Sequence, residues 1–393
     1  MNKNYDKQSL PQITFMIIGI DGNEANIENR VGINKYAFKI IWELYKLNNK
    51  SSNPHDLIVY LKNKPLEDLP KETKYFRYKV LGGGGFWVIT KLTPYLFKNP
   101  ENIEILFSPS HYTSPFLTIP RVCSIMDLGY LEFSGQFEKI VFWQLKYWSA
   151  ISIFVSKQVL TISEATKNDI VRHYPFASKK VVVTPLSHDL SEKDFEVSER
   201  DVRRVKSKYS IVDDYILYVG TLKPSKNIEG LVDAFSKITS KNSSQLVIAG
   251  KKGWMYDTVF NLVKKLGLED KVVFTDYISD EDKMALRKGA KVFCQPSFWE
   301  GFGIDTLSAM ALGVPVVASN VGSLAEVVGD AGVIVDPYNS DDIAKGLSKV
   351  LNMSQKEYNN LVSLGINQLK NFSWQNCAKK TIQTLESVID KQI

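Results

Sequence analysis

The chain has 393 residues, enough for two or three ordinary domains, and 44% of them are hydrophobic, so sizeable cores are expected and disorder is not. The net charge of +6 comes from scattered lysines rather than one block, which argues against nucleic acid as a partner and suits nucleotide sugars or anionic lipid headgroups. Cys123, Cys294 and Cys377 are odd in number and far apart, so neither a disulfide framework nor a zinc site is expected, and a reducing cytoplasmic setting fits. After a polar N-terminus, ITFMIIGID (13–21) reads as a buried first strand, too short and too soon interrupted by Asp21 to span a membrane. A polar loop leads into KYAFKIIWELYKL (35–47), apolar at helical spacing. Further strands are predicted at 55–61, 103–109, 121–127, 158–163 and 180–185, with helices between several of them. GGGGFW (82–87) lacks the Lys-Ser or Lys-Thr of a P-loop and reads as a mobile acceptor-side loop. The stretch 137–157, rich in aromatics with interspersed lysines, is apolar nearly all round. That predicts a helix buried on both sides, with a membrane-surface or lipid-acceptor face as the alternative.

A charged stretch at 191–214 interrupts the pattern and reads as a linker plus a helix feeding a second domain. The alternation restarts at YILYVG (215–220) and runs through QLVIAG (245–250), KVVFTDYI (271–278), KVFCQPS (291–297) and PVVAS (315–319), with helical stretches between. The predicted class is α/β: two Rossmann-like, doubly wound parallel-sheet domains facing across a cleft, covering 1–190 and 191–372.

The most informative stretch is SFWEGFGIDTLSAMALGVPVVAS (297–319). Glu300 stands just before Gly301-Phe302-Gly303, which runs into a short helix stopped by Gly313 and Pro315. Glycines let a ligand approach closely, and the helix N-terminus offers free N–H groups suited to a diphosphate. A carboxylate there can accept hydrogen bonds from sugar hydroxyls. A second motif, LYVGTLKPSKNIEG, ends a strand at Gly220 and carries Lys223 and Lys226 into a helix. Either it is a solvated basic loop or the lysines meet phosphate oxygens as mobile point charges.

These segments resemble the signature of the retaining family 4 glycosyltransferases, which have the GT-B fold. The family pattern is a glutamate, Gly-Phe-Gly, a hydrophobic residue, a proline, then a second glutamate. This chain keeps Glu300 and has Ile304 at the hydrophobic position, Asp305 at the proline and Ser308 at the second glutamate. Where the family usually has Arg-Lys-Asn, the chain has Ser225-Lys226-Asn227, and where it usually has His-Asp-Leu, Met126-Asp127-Leu128.

The resemblance implies transfer of a sugar, mannose-type at the family level, from a nucleotide-diphosphate donor to a saccharide or lipid-linked acceptor. No cofactor and no metal are implied. Glu300 would hold the donor sugar, Lys226 the leaving diphosphate with help from Lys223, and the Gly301–Ile304 loop would line the donor site. Ser308 would lie near the ribose. Asp305 would either take over that contact or merely N-cap the helix. Gly32 in RVGINKYA would bring its backbone near the phosphate, with Asn34 keeping the turn at a second glycine position. Gly220 and Gly250 would approach the nucleotide. Asp127 would sit at the cleft, with His111 a stand-in for the missing histidine, and His188 would lie near the hinge. The segment 373–393 would cross back to the first domain. The alternatives are a catalytically weak nucleotide-sugar binder serving as an assembly partner, and a GT-B nucleotide-sugar epimerase. The expected location is cytoplasmic, at the inner face of a membrane if the acceptor is lipid-linked.

Overall fold

A computed structural model describes residues 15–239, 243–253 and 256–390. The polar N-terminus, the first two residues of the predicted first strand, Trp254 of the GKKGW turn and the last residues of the predicted C-terminal helix lie outside them. Two parallel sheets organise the rest. The first contains β1 (Ile17–Asp21), β2 (Asp56–Leu61), β3 (Phe76–Val80), β4 (Ile105–Ser108), β5 (Arg121–Ile125), β6 (Gln158–Thr161) and β7 (Val181–Val183), in the order β3-β2-β1-β4-β5-β6-β7. The second contains β8 (Tyr215–Val219), β9 (Gln245–Ala249), β10 (Val272–Asp276), β11 (Val292–Gln295), β12 (Val316–Ser319) and β13 (Val333–Val335), in the order β10-β9-β8-β11-β12-β13. Every residue of β8 and β9 is buried, as expected of strands covered by helices on both faces. β3 and β13 were not predicted. Both are edge strands with partly exposed residues; β3 carries Arg77 and Lys79, which break its apolar run, and β13 is apolar but only three residues long.

Each sheet reverses its order once, between β1 and β4 and between β8 and β11. Chains diverge from such a point at the strands' carboxyl ends and leave a crevice there. The Trp374–Asp390 helix leaves the second domain and packs on the Ile33–Asn49 helix of the first. His55 Nε2 and Glu386 meet there at 3.1 Å. At the crossing, Trp374 Nε1 donates to the His188 carbonyl and Ser187 Oγ to that of Phe372.

Two local expectations need correction. The helix in 137–157, Lys139–Val155, is not covered on both sides. It buries only Ser149, Ser152 and Ile153, while Ile140, Trp143, Tyr147 and Phe154 are exposed. Its apolar circumference reflects two different demands, packing inward and an apolar stripe outward. Asn34 does not hold a second left-handed turn: it lies within the Ile33–Asn49 helix, and the positive φ (49°) falls on Gly32. Asn34 instead donates Nδ2 to Glu24 at 2.5 Å.

Candidate active site

The loops leaving β8 and β11, neighbours at the second sheet's reversal, supply a charged cluster on the cleft. After β8 the chain makes a short 3-10 turn at Pro224–Lys226, then Asn227 takes a left-handed conformation. Asn227 is pinned by donating Nδ2 to the carbonyls of Pro296 and Pro337. The Ser225 carbonyl accepts the N–H of Phe298, tying this turn to the β11 loop. Lys226 is thereby aimed at Glu300, with Nζ 2.5 Å from Oε1.

The same Glu300 oxygen accepts from Gln295 Nε2 at 2.6 Å and Ser297 Oγ at 2.9 Å. Burial alone would raise the Glu300 carboxyl, but Lys226 and these hydrogen bonds hold it below its ordinary value. Among the described residues all three side-chain donors go to Oε1, which leaves Oε2 its lone pairs for a ligand hydroxyl. Lys223 is lowered by burial and by the like charge of Lys226. The two crowded lysines act on Glu300 and, from across the cleft, on Asp127.

The first domain closes on this cluster. Asp127, just past β5, lies in the cleft between both domains and accepts the Gly129 N–H at 2.9 Å. Crowding by both walls pushes its carboxyl up, while Lys226 and Lys223 pull it down. Trp299 packs against this turn: a Cβ on Gly129 would stand 2.6 Å from the indole, so the close approach requires glycine. Across the domains, Glu326 accepts the N–H groups of Glu164 (3.1 Å) and Ala165 (3.2 Å), the first turn of the Glu164–His173 helix. A carboxylate is well placed at a helix N-terminus.

Close approaches and positive φ mark two of the glycines expected on the nucleotide side. Gly250 has φ 154° at the end of β9, and a Cβ there would overlap the Gly220 carbonyl at 2.0 Å. Gly303 (φ 94°) is the N-cap of the Ile304–Ala311 helix. Phe302 is buried against Phe372, and Ile304 packs on the core.

Several expected contacts are redrawn. Asp305 is not the N-cap: it sits in the helix's first turn and ion-pairs with the fully buried Arg287. Ser308 is fully buried, its hydroxyl within hydrogen-bond distance of Asp189 Oδ1 (2.9 Å) and the Ile304 carbonyl (3.0 Å). Asp189 comes from the segment joining the domains. Burial would raise its carboxyl, but Arg287, Lys35 and Lys283 hold it far below the usual range. A carboxylate therefore does stand beside position 308, contributed by the interdomain segment. His111 has no hydrogen bond or ion pair to Glu300, Lys226 or Asp127 among the described residues. Burial pushes it down to about 4, so it is neutral at pH 7. His188 Nδ1 also lacks a partner among them, and its ring packs near Phe195 at the domain crossing. Gln295, Ser297, Asp189, Arg287 and Glu326 were not singled out from sequence. Only the closeness of Gln295 and Ser297 to Glu300 along the chain hinted at any of them.

Two Rossmann-like domains facing across a cleft, with paired lysines and a carboxylate at the strand-order reversal of the second, define a GT-B glycosyltransferase. A family model described as glycosyl transferases group 1 matches residues 201–368. The O-antigen chain mannosyltransferase B of Escherichia coli is 31% identical over 346 residues, covering 86% of this chain and 84% of that protein. The chain belongs to the group 1 glycosyltransferases. Among solved structures, sucrose-phosphate synthase from Thermosynechococcus elongatus superposes with a TM-score of 0.71 at 18% identity, over 96% of this chain and 100% of that one. Anabaena HepE, solved with UDP and glucose, gives 0.70 at 16% identity over 95% and 100%. At these identities the likeness speaks for the fold.

Proposed function

We propose that this glycosyltransferase moves a mannose-type sugar from a nucleotide-diphosphate donor to a hydroxyl of a saccharide or lipid-linked acceptor, with retention of configuration and without a metal, in the cytoplasm. The observation that carries the reading is the Lys226–Glu300 pair beside Lys223 at the reversal between β8 and β11. The bond from the sugar's anomeric carbon to the diphosphate breaks, and one to the acceptor oxygen forms on the same face. The acceptor's proton leaves with the nucleoside diphosphate. Lys226 and Lys223 stabilise the charge that grows on the diphosphate, which is the service a divalent cation gives elsewhere. The same charges would draw Lys226 partly away from Glu300, freeing that carboxylate for the donor's hydroxyls. The named activity of the Escherichia coli relative supports mannose.

The test is a panel of nucleoside-diphosphate sugars incubated with mannose oligosaccharides and excess EDTA. Nucleoside diphosphate released in step with product, and an unchanged anomeric coupling by NMR, is the expected result. Inverted product refutes retention, loss of turnover in EDTA refutes metal independence, and preference for a gluco-configured donor refutes mannose.

A further inference from the structure

We propose that the outward face of the Lys139–Val155 helix is a docking surface for a bilayer bearing anionic headgroups. Ile140 (80% exposed), Trp143 (46%), Tyr147 (60%), Ile151 (38%) and Phe154 (68%) recur at spacings of three and four, so they form one stripe along the helix. Phe176 extends it, its ring 5.8 Å from that of Phe154. From Ile140 to Phe154 the stripe runs about 21 Å, at 1.5 Å per residue. A continuous apolar face of this length is not ordinary soluble surface.

Charge decides the occupant. From Lys139 to Ser163 the sequence contains no aspartate or glutamate, and Lys139, Lys146 and Lys157 fall within it. Lys146 Nζ stands 5.0 Å from the Trp143 ring centroid, and Lys180 Nζ 5.7 Å from that of Phe176, so cations sit directly on the apolar stripe. Trp143 and Tyr147 stack at 5.4 Å, both rings with an apolar body and a polar edge, the chemistry favoured at headgroup depth. A two-fold dimer through this face would set the same lysines against each other. None of the described helices is long and apolar enough to cross a membrane, so the helix lies on the surface.

The stripe also has a direction. Near its start Gln144 Nε2 is 3.4 Å from the hydroxyl of Tyr112, and Trp148 packs on the Tyr112 ring just beyond β4's carboxyl end. At its far end the Val155 carbonyl accepts from Arg121, the first residue of β5. The docked face therefore reaches the rim of the cleft on the first domain. This deepens the acceptor side of the proposed reading, because a lipid-linked acceptor would be presented there, but vesicle binding is read without any transfer.

The experiment is co-sedimentation of the full chain with phosphatidylcholine vesicles, with and without about one third phosphatidylglycerol, a composition that sets the surface potential. Wild type is expected to bind the anionic vesicles and to lose most of that binding at roughly 0.5 M salt, where screening is short-ranged. Trp143→Glu with Phe154→Glu, and separately Lys139→Glu with Lys146→Glu, should each weaken binding at least tenfold. Thermal melting and nucleoside-diphosphate binding should stay unchanged, since all four positions lie outside the charged cleft. Failure of wild type to bind, or unchanged binding by both variants, overturns the proposal. So does a concentration-dependent dimer in sedimentation velocity that Phe154→Glu breaks, which would assign the face to a second copy. Vesicle binding without any transfer would leave this surface standing and remove the proposed reaction instead.

Discussion

Lys226 Nζ and Glu300 Oε1 lie 2.5 Å apart although the residues are 74 positions apart in the chain, and each comes off one of the two strands flanking the sheet's reversal. In the proposed reaction this pair would set a carboxylate beside the sugar and a cation beside the diphosphate.

Lys226→Ala removes the cation. Binding of a nucleoside diphosphate should weaken by about 1.5–3 kcal/mol, the worth of a charge-assisted contact, while binding of the nucleoside is nearly unchanged. Calorimetric titration of both ligands checks this. Equal losses would take Lys226 off the phosphates.

Glu300→Gln keeps the shape and one acceptor oxygen but loses the charge. Transfer should fall about tenfold to a hundredfold, on the same scale of charge-assisted bonds, with nucleoside-diphosphate affinity nearly intact. A collapse of nucleotide affinity at unchanged turnover would move Glu300 from the sugar to the nucleotide.

Arg287 is fully buried between Asp305 and Asp189. Arg287→Ala leaves Asp189 without its chief counter-charge and should cost roughly 3–5 kcal/mol in urea unfolding. Asp305→Asn should cost only about 1 kcal/mol, because Asp305 is 40% exposed and Asp189 remains. The reverse order would mean that Asp305, not Asp189, neutralises this arginine.

Asp21, buried at the end of β1, is raised from 3.8 to about 7, chiefly by burial and also by Glu24, despite hydrogen bonds from Asn23. The folded chain therefore binds this proton more tightly than the unfolded one. The stability it contributes is full below about pH 4 and is lost as pH rises through about 7. Asp21→Asn should flatten the stability profile across that window and be the more stable form at pH 8, by on the order of a few kcal/mol. Urea unfolding at a series of pH values reads it, and a parent that gains stability over Asp21→Asn between pH 4 and 7 would sink the assignment.

Much of the second domain's cleft edge was legible in the sequence because its signals are local. A strand that is apolar on both faces, a glycine needed at a close approach and a carboxylate five residues past a strand are all set within a dozen residues. The α/β class and the Glu300 and Lys226 loops follow from such runs. Edge strand β3 escaped because Arg77 and Lys79 break its apolar run, and β13 because three residues are too short a run to read as a strand.

Tertiary structure decided the rest, because charge pairing and exposure depend on what stands opposite. No spacing in the chain could say that Asp189 would meet Ser308, that Arg287 would take Asp305 away from capping, or that Glu326 would clasp a helix of the other domain. Nor could periodicity tell a helix covered on all sides from one with a bare apolar stripe. The Lys139–Val155 sequence is apolar all round in either case, and only the absence of a covering layer among the described residues makes Trp143 and Phe154 surface.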